Sequence, residues 1–371
     1  MEVLLESWSL IVILLSAFII GWAAEAAQTF MSRALALSIL AWLQTLPEFA
    51  VEATIAWNQE RDLMIANLTG SLRLLVGLGW PMIFFVHFFS KGMKEKKWIQ
   101  KIELDREDYL SVLFLAISVA YFILVWWKAT LSSVDSLWLI LIYGVYLFIL
   151  ARLPAHEVEE EEDLPWVAAK VAALPRSSRI FATIGMFLLG GIALYFSVHP
   201  FLNTLESWSI SLGVSTFVFV QWVAPFLSEF PEKVTAFNWA RQTKKAPMAV
   251  MNMVNSNINQ WTMLAAMIPL VYSLSLGRFE PVFLDDFHRK ELLLTIVQSA
   301  LGVILLLDLE FSLMDAFMIF ALWLVQFIFT STHDAVTGAY LVWGGFEILK
   351  FTYLYFSKNQ TPRAIAILLG K

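Results

Sequence analysis

Apolar residues fall along this chain in long runs separated by short polar stretches, and run length is the first informative quantity. About 20 consecutive apolar residues cover the hydrocarbon core of a bilayer. By that ruler eleven spans are expected, at 7–27, 33–57, 63–90, 109–128, 135–152, 178–198, 206–240, 246–276, 291–308, 312–331 and 334–356. The seventh and eighth are long and broken, which predicts kinks. Glu347 and Lys350 interrupt the last, which is expected either to cross or to lie as an amphipathic cap. The first span follows an acidic rather than a basic start, Met1 to Glu6, and is read as a retained helix rather than a signal peptide.

Basic residues set the expected orientation. Lys91, Lys94, Lys96, Lys97, Lys101 and Arg106 follow span three, Arg152, Lys170, Arg176 and Arg179 flank the loop after span five, and Arg241, Lys244 and Lys245 follow span seven. These loops share one side by parity, and the positive-inside rule puts that side in the cytoplasm and the N-terminus outside. The organisation expected is a first five-helix half at 1–153 with a repeat at 33–90 and an acidic linker at 154–177. A second half follows at 178–331 with a repeat at 222–276, then an extra helix and tail at 332–371. The linker's Glu157, Glu159, Glu160, Glu161, Glu162 and Asp163 lack the alternating ligand spacing of a calcium loop, so a solvated connection is expected.

Two stretches break the apolar pattern in the same way. Gln44-Thr45-Leu46-Pro47-Glu48-Phe49-Ala50-Val51-Glu52 lies inside span two, and Ser228-Glu229-Phe230-Pro231-Glu232-Lys233 lies inside span seven. A carboxylate in hydrocarbon costs about 3 kcal/mol on insertion scales, so an intramembrane acid marks a functional site. Pro47 and Pro231 cannot donate to the preceding turn, which predicts kinks that free backbone oxygen. Spacings of three, four and seven bring Thr45, Glu48 and Glu52 onto one face, where hard oxygens suit a hard cation such as calcium or sodium. Downstream, Asn67 to Ser71 follows the first Pro-Glu and Asn252 to Ser256 follows the second at nearly the same distance. Five crossings separate Pro47 from Pro231. That odd number makes the two copies an inverted repeat, with the site at their interface.

These residues resemble the cation/calcium exchanger family, of which sodium/calcium exchangers are members. Its two repeats carry Gly-Thr-Ser-x-Pro-Glu followed by a Gly-Asn-x-x-Gly-Ser-Asn helix. Here the first repeat keeps Thr45, Pro47, Glu48, Asn67, Gly70 and Ser71, and the second keeps Ser228, Pro231, Glu232, Asn252, Ser256 and Asn257. The resemblance implies an all-α membrane protein of two inverted five-helix repeats, to which the eleventh span is an addition. It also implies Glu48 and Glu232 as the central metal ligands, with Thr45, Ser71, Ser256 and Ser228 adding oxygen. The departures are Leu43-Gln44 before the first Pro-Glu, Leu72, Leu75, Asn255 and Gln260 where the family has small or amide residues, and Glu229 where it has Ser. Glu52 and Glu229 are expected either to take up protons in competition with the cation or to pair with Arg73 or Lys233. Arg73, about 200° around the helix from Ser71, is expected to face away from the site and to pair with an acid such as Glu25. His333 and Asp334 are read as a solvated turn, and Asp308, Glu310 and Asp315 as an interfacial loop.

Composition changes this picture little. Hydrophobic residues make up 59% and charged residues only 15% of 371 positions, outside the soluble norm on both counts. A formal charge of −6, mostly from the acidic loop, suggests no nucleic-acid surface. The absence of Cys excludes disulfides, thiolate metal sites and thiol chemistry. No glycine-rich phosphate loop and no catalytic constellation is present, so neither an ATP-driven pump nor an enzyme is expected, and no cofactor. The reading is a multi-pass protein of the plasma or inner membrane, a secondary antiporter exchanging Ca2+ against Na+ or H+, with inorganic cations and lipid as its partners. The alternative is a non-transporting protein of degenerate exchanger fold. The sequence leaves the oligomeric state open.

Overall fold

A computed structural model describes residues 8–28, 42, 44–95, 99–152, 164–242 and 245–370, and nearly all of these are helical. The N-terminal half holds α1 (Trp8–Gln28), α2 (Leu46–Trp57), α3 (Arg61–Leu74), α4 (Trp80–Glu95), α5 (Tyr109–Lys128) and α6 (Ser133–Leu150). A short helix α7 (Trp166–Ala172) precedes the second half. That half holds α8 (Arg176–Leu212), α9 (Thr216–Ser228), α10 (Phe230–Ala240), α11 (Ala246–Asn259), α12 (Ala265–Leu276), α13 (Asp286–Leu306) and α14 (Leu313–Ile328). Helices α15 (His333–Lys358) and α16 (Arg363–Leu368) complete the chain. The acidic run 157–163 and the start of the second span, 33–41, lie outside the described residues.

The halves repeat each other in detail. Helix α3 passes into α4 through a π-helical stretch, Leu75–Gly79, and α11 passes into α12 through another, Gln260–Leu264. Such stretches widen the helix by one residue and recur at functional sites. Helices α6 and α14 both open on a capping box, Ser132 with Asp135 and Ser312 with Asp315. Each carboxylate satisfies backbone donors that a helix start leaves free. Two small antiparallel ribbons follow the same symmetry. Strand β1 (Lys101–Glu103), after α4, pairs with β4 (Glu310–Ser312), between α13 and α14. Strand β2 (Thr130–Leu131), between α5 and α6, pairs with β3 (Val282–Phe283), between α12 and α13. Exchanging the halves converts one ribbon into the other and carries it to the opposite face, as an inverted repeat requires. The supposed interfacial loop of Glu310 and Asp315 is thus a strand and a cap.

Two span boundaries differ from those expected. The sixth span, α8, does not stop near residue 198. It runs 37 residues, a rise of about 55 Å, and ends at Gly213, whose φ of +67° is the left-handed conformation of a C-cap. Pro200 removes only one N–H, which tertiary packing tolerates. Residues 206–212 therefore close α8 instead of opening the seventh span. Helix α15 is one continuous 26-residue helix with few buried positions, and Glu347 and Lys350, which interrupt its apolar pattern, pair with each other at 2.7 Å. Large apolar side chains such as Phe181, Tyr195, Phe196, Val342 and Phe356 stand exposed around the outside, as a surface facing hydrocarbon demands. The interior inverts that pattern and holds Glu48, Glu52, Arg73, Glu229, Glu232 and Gln260, all at 0% exposure.

Candidate functional site

At both Pro-Glu motifs the helix is interrupted rather than merely kinked. Thr45 is a turn residue, α2 begins at Leu46, and Pro47 occupies its first turn. Helix α9 stops at Ser228, Glu229 has φ −96° and ψ 5°, and α10 begins at Phe230 with Pro231 in its first turn. Proline is favoured there because its missing N–H would be unpaired anyway. Thr45 and Glu229 therefore hold corresponding N-cap positions, and Glu48 and Glu232 corresponding third positions of a half-helix. Free amides and the helix dipole at such an end favour negative charge. Neither cap residue uses its side chain to close the helix end.

One cluster joins the halves. Gln260 Nε2 donates to Glu48 Oε2 and to Glu229 Oε1, both at 2.8 Å. Ser71 Oγ donates a short bond to the same Glu229 Oε1. Lys233 Nζ donates to Glu229 Oε2 at 2.5 Å. Of the two expectations for Glu229, pairing with Lys233 is the one seen, and an amide and a hydroxyl hold it as well. Beside it, Ser256 Oγ donates a short bond to Glu232 Oε1, and Asn252 Nδ2 reaches the same oxygen at 3.3 Å. Glu48 Oε1 and Glu232 Oε2 are buried with no hydrogen-bond partner among the described residues. Two acids from opposed half-helices thus each present one unused oxygen.

The remaining expected residues differ in their partners. Asn67 Nδ2 donates to Glu52 Oε2 at 2.6 Å, and Glu52 Oε1 is unpartnered, so Glu52 pairs with an amide and not with Arg73. Thr45 Oγ1 donates to the Trp42 carbonyl at 2.9 Å and accepts from Asn259 Nδ2 at 2.6 Å. Asn259 was not among the expected residues, although it adjoins Gln260 in the same polar run. Asn257 is buried with both amide atoms unpartnered. Ser228 turns back on its own helix, with Oγ 3.5 Å from the Pro225 carbonyl, and donates nothing to the acids.

Arg73 faces away from the pair, as its position on the helix implies, but it does not pair with Glu25. Its Nη2 lies 2.7 Å from Glu291 Oε2 on α13, and its Nη1 is 3.2 Å from Gln326 Oε1 on α14. Glu291 also accepts from Gln221 Nε2 at 2.9 Å and meets His333 Nδ1 at 2.6 Å. His333 is therefore no solvated turn residue; it closes a polar network that fastens α15 to α13. Asp334, by contrast, stays exposed and pairs with Lys290 at 3.2 Å. Glu25 accepts from Thr235 Oγ1 at 2.9 Å instead. Sequence spacing could not find these partners, because all come from helices distant in the chain.

The nearest approach of the halves also depends on a missing side chain. A Cβ on Gly70 would lie 1.7 Å from the Gln221 carbonyl oxygen, so α3 can touch α9 only as glycine. That contact seats Ser71 against Glu229.

The comparisons agree with this architecture. No curated protein matches the chain. The crystal structure of the H+/Ca2+ exchanger CAX is similar, with 28% identity and a TM-score of 0.86, and covers 98% of this chain and 92% of that one. Native YfkE is 16% identical with a TM-score of 0.65 over 88% of this chain and 92% of its own. The sodium-calcium exchanger NCX_Mj, soaked with 10 mM Na+ and zero Ca2+, is 18% identical with a TM-score of 0.56 over 88% and 96%. The last two likenesses concern the fold alone. The model of the sodium/calcium exchanger protein family matches residues 3–152 and 182–332, one stretch in each half. This integral membrane protein, with its two inverted repeats and paired half-helices, belongs to the sodium/calcium exchanger protein family.

Proposed function

We propose that this protein is a secondary antiporter, not an enzyme, that exchanges Ca2+ for protons by alternating access at Glu48 and Glu232. The observation that carries the reading is the pair of unused buried oxygens, Glu48 Oε1 and Glu232 Oε2, on two half-helices of opposite direction. Ca2+ is a hard ion bound by carboxylate, hydroxyl and amide oxygen, and Ser71, Ser256, Asn257, Gln260 and Thr45 offer more of these nearby. Asn67 and Asn252 orient the acids from behind, and Glu52 and Glu229 flank them.

The donor set favours protons over sodium as the counter-ion. The Lys233 ammonium already holds Glu229, which leaves three buried carboxylates of the two Pro-Glu stretches, Glu48, Glu52 and Glu232, without a cation among the described residues. One divalent cation, two protons or two sodium ions carry the same charge, so the oxygen donors decide between the counter-ions. Leu72 and Leu75 offer no oxygen where a set of monovalent ions would need it. The likeness to the H+/Ca2+ exchanger CAX supports the same choice. In the proposed topology the N-terminus is outside and the linker 154–177 cytoplasmic, in a plasma or inner membrane, with the halves at 1–153 and 178–331 and the extra helix at 332–371.

The test is flux in reconstituted vesicles. Labelled calcium should accumulate against an imposed pH gradient, and imposed sodium should not replace that gradient. Because a carboxylate must lose its proton to bind a metal, calcium affinity should fall as the pH falls. Sodium-driven uptake at constant pH would reassign the counter-ion. No gradient-driven flux of any divalent cation would leave a degenerate exchanger fold.

A further inference from the structure

Glu25 lies outside the cluster described above, yet it has the same kind of environment. It is 3% exposed, and the last turn of α1 contains no basic residue. Thr235 Oγ1 donates to Oε1 at 2.9 Å, while Oε2 is buried and has no hydrogen-bond partner among the described residues. Lys233, the nearby base on α10, is engaged by Glu229. His87, on the neighbouring α4, meets the Ala240 carbonyl at 3.1 Å. A neutral glutamine would serve Thr235 as well, so a bare acid at this depth has no structural need of its charge.

Its position relates it to the central pair. Helix α1 runs beside the interrupted helix in the same direction. Phe18 packs on Phe230 with ring centroids 6.1 Å apart, a Cβ on Gly21 would stand 3.6 Å from Pro231 Cβ, and Glu25 meets Thr235. Gly21 to Glu25 and Pro231 to Thr235 are the same four-residue step. Glu25 thus lies one turn, about 5 Å, beyond the helix break, in the direction in which α10 leaves it. On the other repeat Glu52 occupies the comparable step past Glu48 on α2, again with one oxygen on a neutral donor, Asn67, and the other unpartnered. The position matching Glu52 on α10 is Ala236. The acid missing from the second repeat is therefore supplied by α1.

We propose that Glu25 is an additional binding position for the transported divalent cation, a staging carboxylate between the central pair and the face to which α10 leads, with Glu52 as its counterpart toward the opposite face. The inference rests on the antiport reading and on its topology, in which α10 leads to the cytoplasm. A cation entering from that side exchanges part of its hydration for the free oxygen of Glu25 before reaching Glu232, one helical turn further in. The mixed set of one carboxylate and one hydroxyl suits brief, partly hydrated binding of a hard divalent ion.

The experiment compares inside-out with right-side-out vesicles and measures the calcium concentration for half-maximal exchange at each face. In Glu25→Gln that concentration should rise about tenfold at the cytoplasmic face, the effect of losing one modest contact, and stay unchanged outside. Glu52→Gln should give the mirror image. A purely structural role would move both faces alike. A shift of equal size at both faces, a shift confined to the external face, or none overturns the proposal while wild-type flux upholds the antiport reading. Absent wild-type flux overturns both. Should Glu25→Gln fail to fold, Thr235→Val keeps the acid but removes its donor, and must shift the cytoplasmic value alone.

Discussion

Glu48 and Glu232 concentrate the chemistry of the molecule into two carboxyl groups, and their replacement separates charge from shape. In Glu48→Gln or Glu232→Gln the side-chain volume is kept, and only the anionic oxygen is lost. Calcium binding followed by calorimetry should weaken by more than about 100-fold in each, beyond what a partner of a metal ligand costs. The ion-free protein should melt no lower than the parent, because an expensive intramembrane charge has gone. Glu229 behaves differently. Removing Lys233 as Lys233→Met strands a buried carboxylate and should cost about 3–5 kcal/mol. The double change Glu229→Gln with Lys233→Met should recover much of that, and a double-mutant cycle on thermal unfolding reads the difference. Equal losses in the single and double variants would mean that the Lys233–Glu229 bond contributes little.

At the scale of elements, the interruptions and close approaches matter more than helix propensity. Each half-helix starts at a cap that leaves amides free, so the acids sit at the ends where negative charge is favoured. The two π-helical stretches follow Ser71 and Ser256 by the same interval, and only the second places a polar side chain, Gln260, at its start. Gly70 fixes how near α3 comes to α9. Gly70→Ala should therefore shift the helices apart, cost roughly 1–3 kcal/mol as overpacking, and lower calcium affinity by moving Ser71 from Glu229. Gly144→Ala is the control, since a Cβ there meets nothing within 4 Å. Differential scanning of both variants in detergent decides it, and equal melting would refute the close-packing argument.

For the whole molecule the decisive property is the opposed direction of the halves. A single cysteine in this cysteine-free chain reports it directly. Glu160→Cys should be modified by a membrane-impermeant thiol reagent only from the cytoplasmic side, and Val214→Cys, in the turn between α8 and α9, only from outside. Modification of both from one side would refute the inverted arrangement and the topology together.

The sequence determined the class, the long apolar runs and the duplicated Pro-Glu motifs, and it pointed to Glu48 with Glu232, because run length, proline and charge in hydrocarbon act locally and leave marks at fixed spacing. It also showed Glu229 and Lys233 as a candidate pair, one turn apart on a helix. Tertiary structure alone decided that Pro47 and Pro231 start half-helices, that α8 continues through Pro200 to Gly213, that Gln260 bridges the repeats, and that Arg73 pairs with Glu291 beside His333 instead of with Glu25. The physical reason is the same in each case. A buried polar group must find a partner or stay costly, and which partner it finds depends on helices brought together by packing, at separations such as the 218 residues between Arg73 and Glu291, where sequence spacing carries no information.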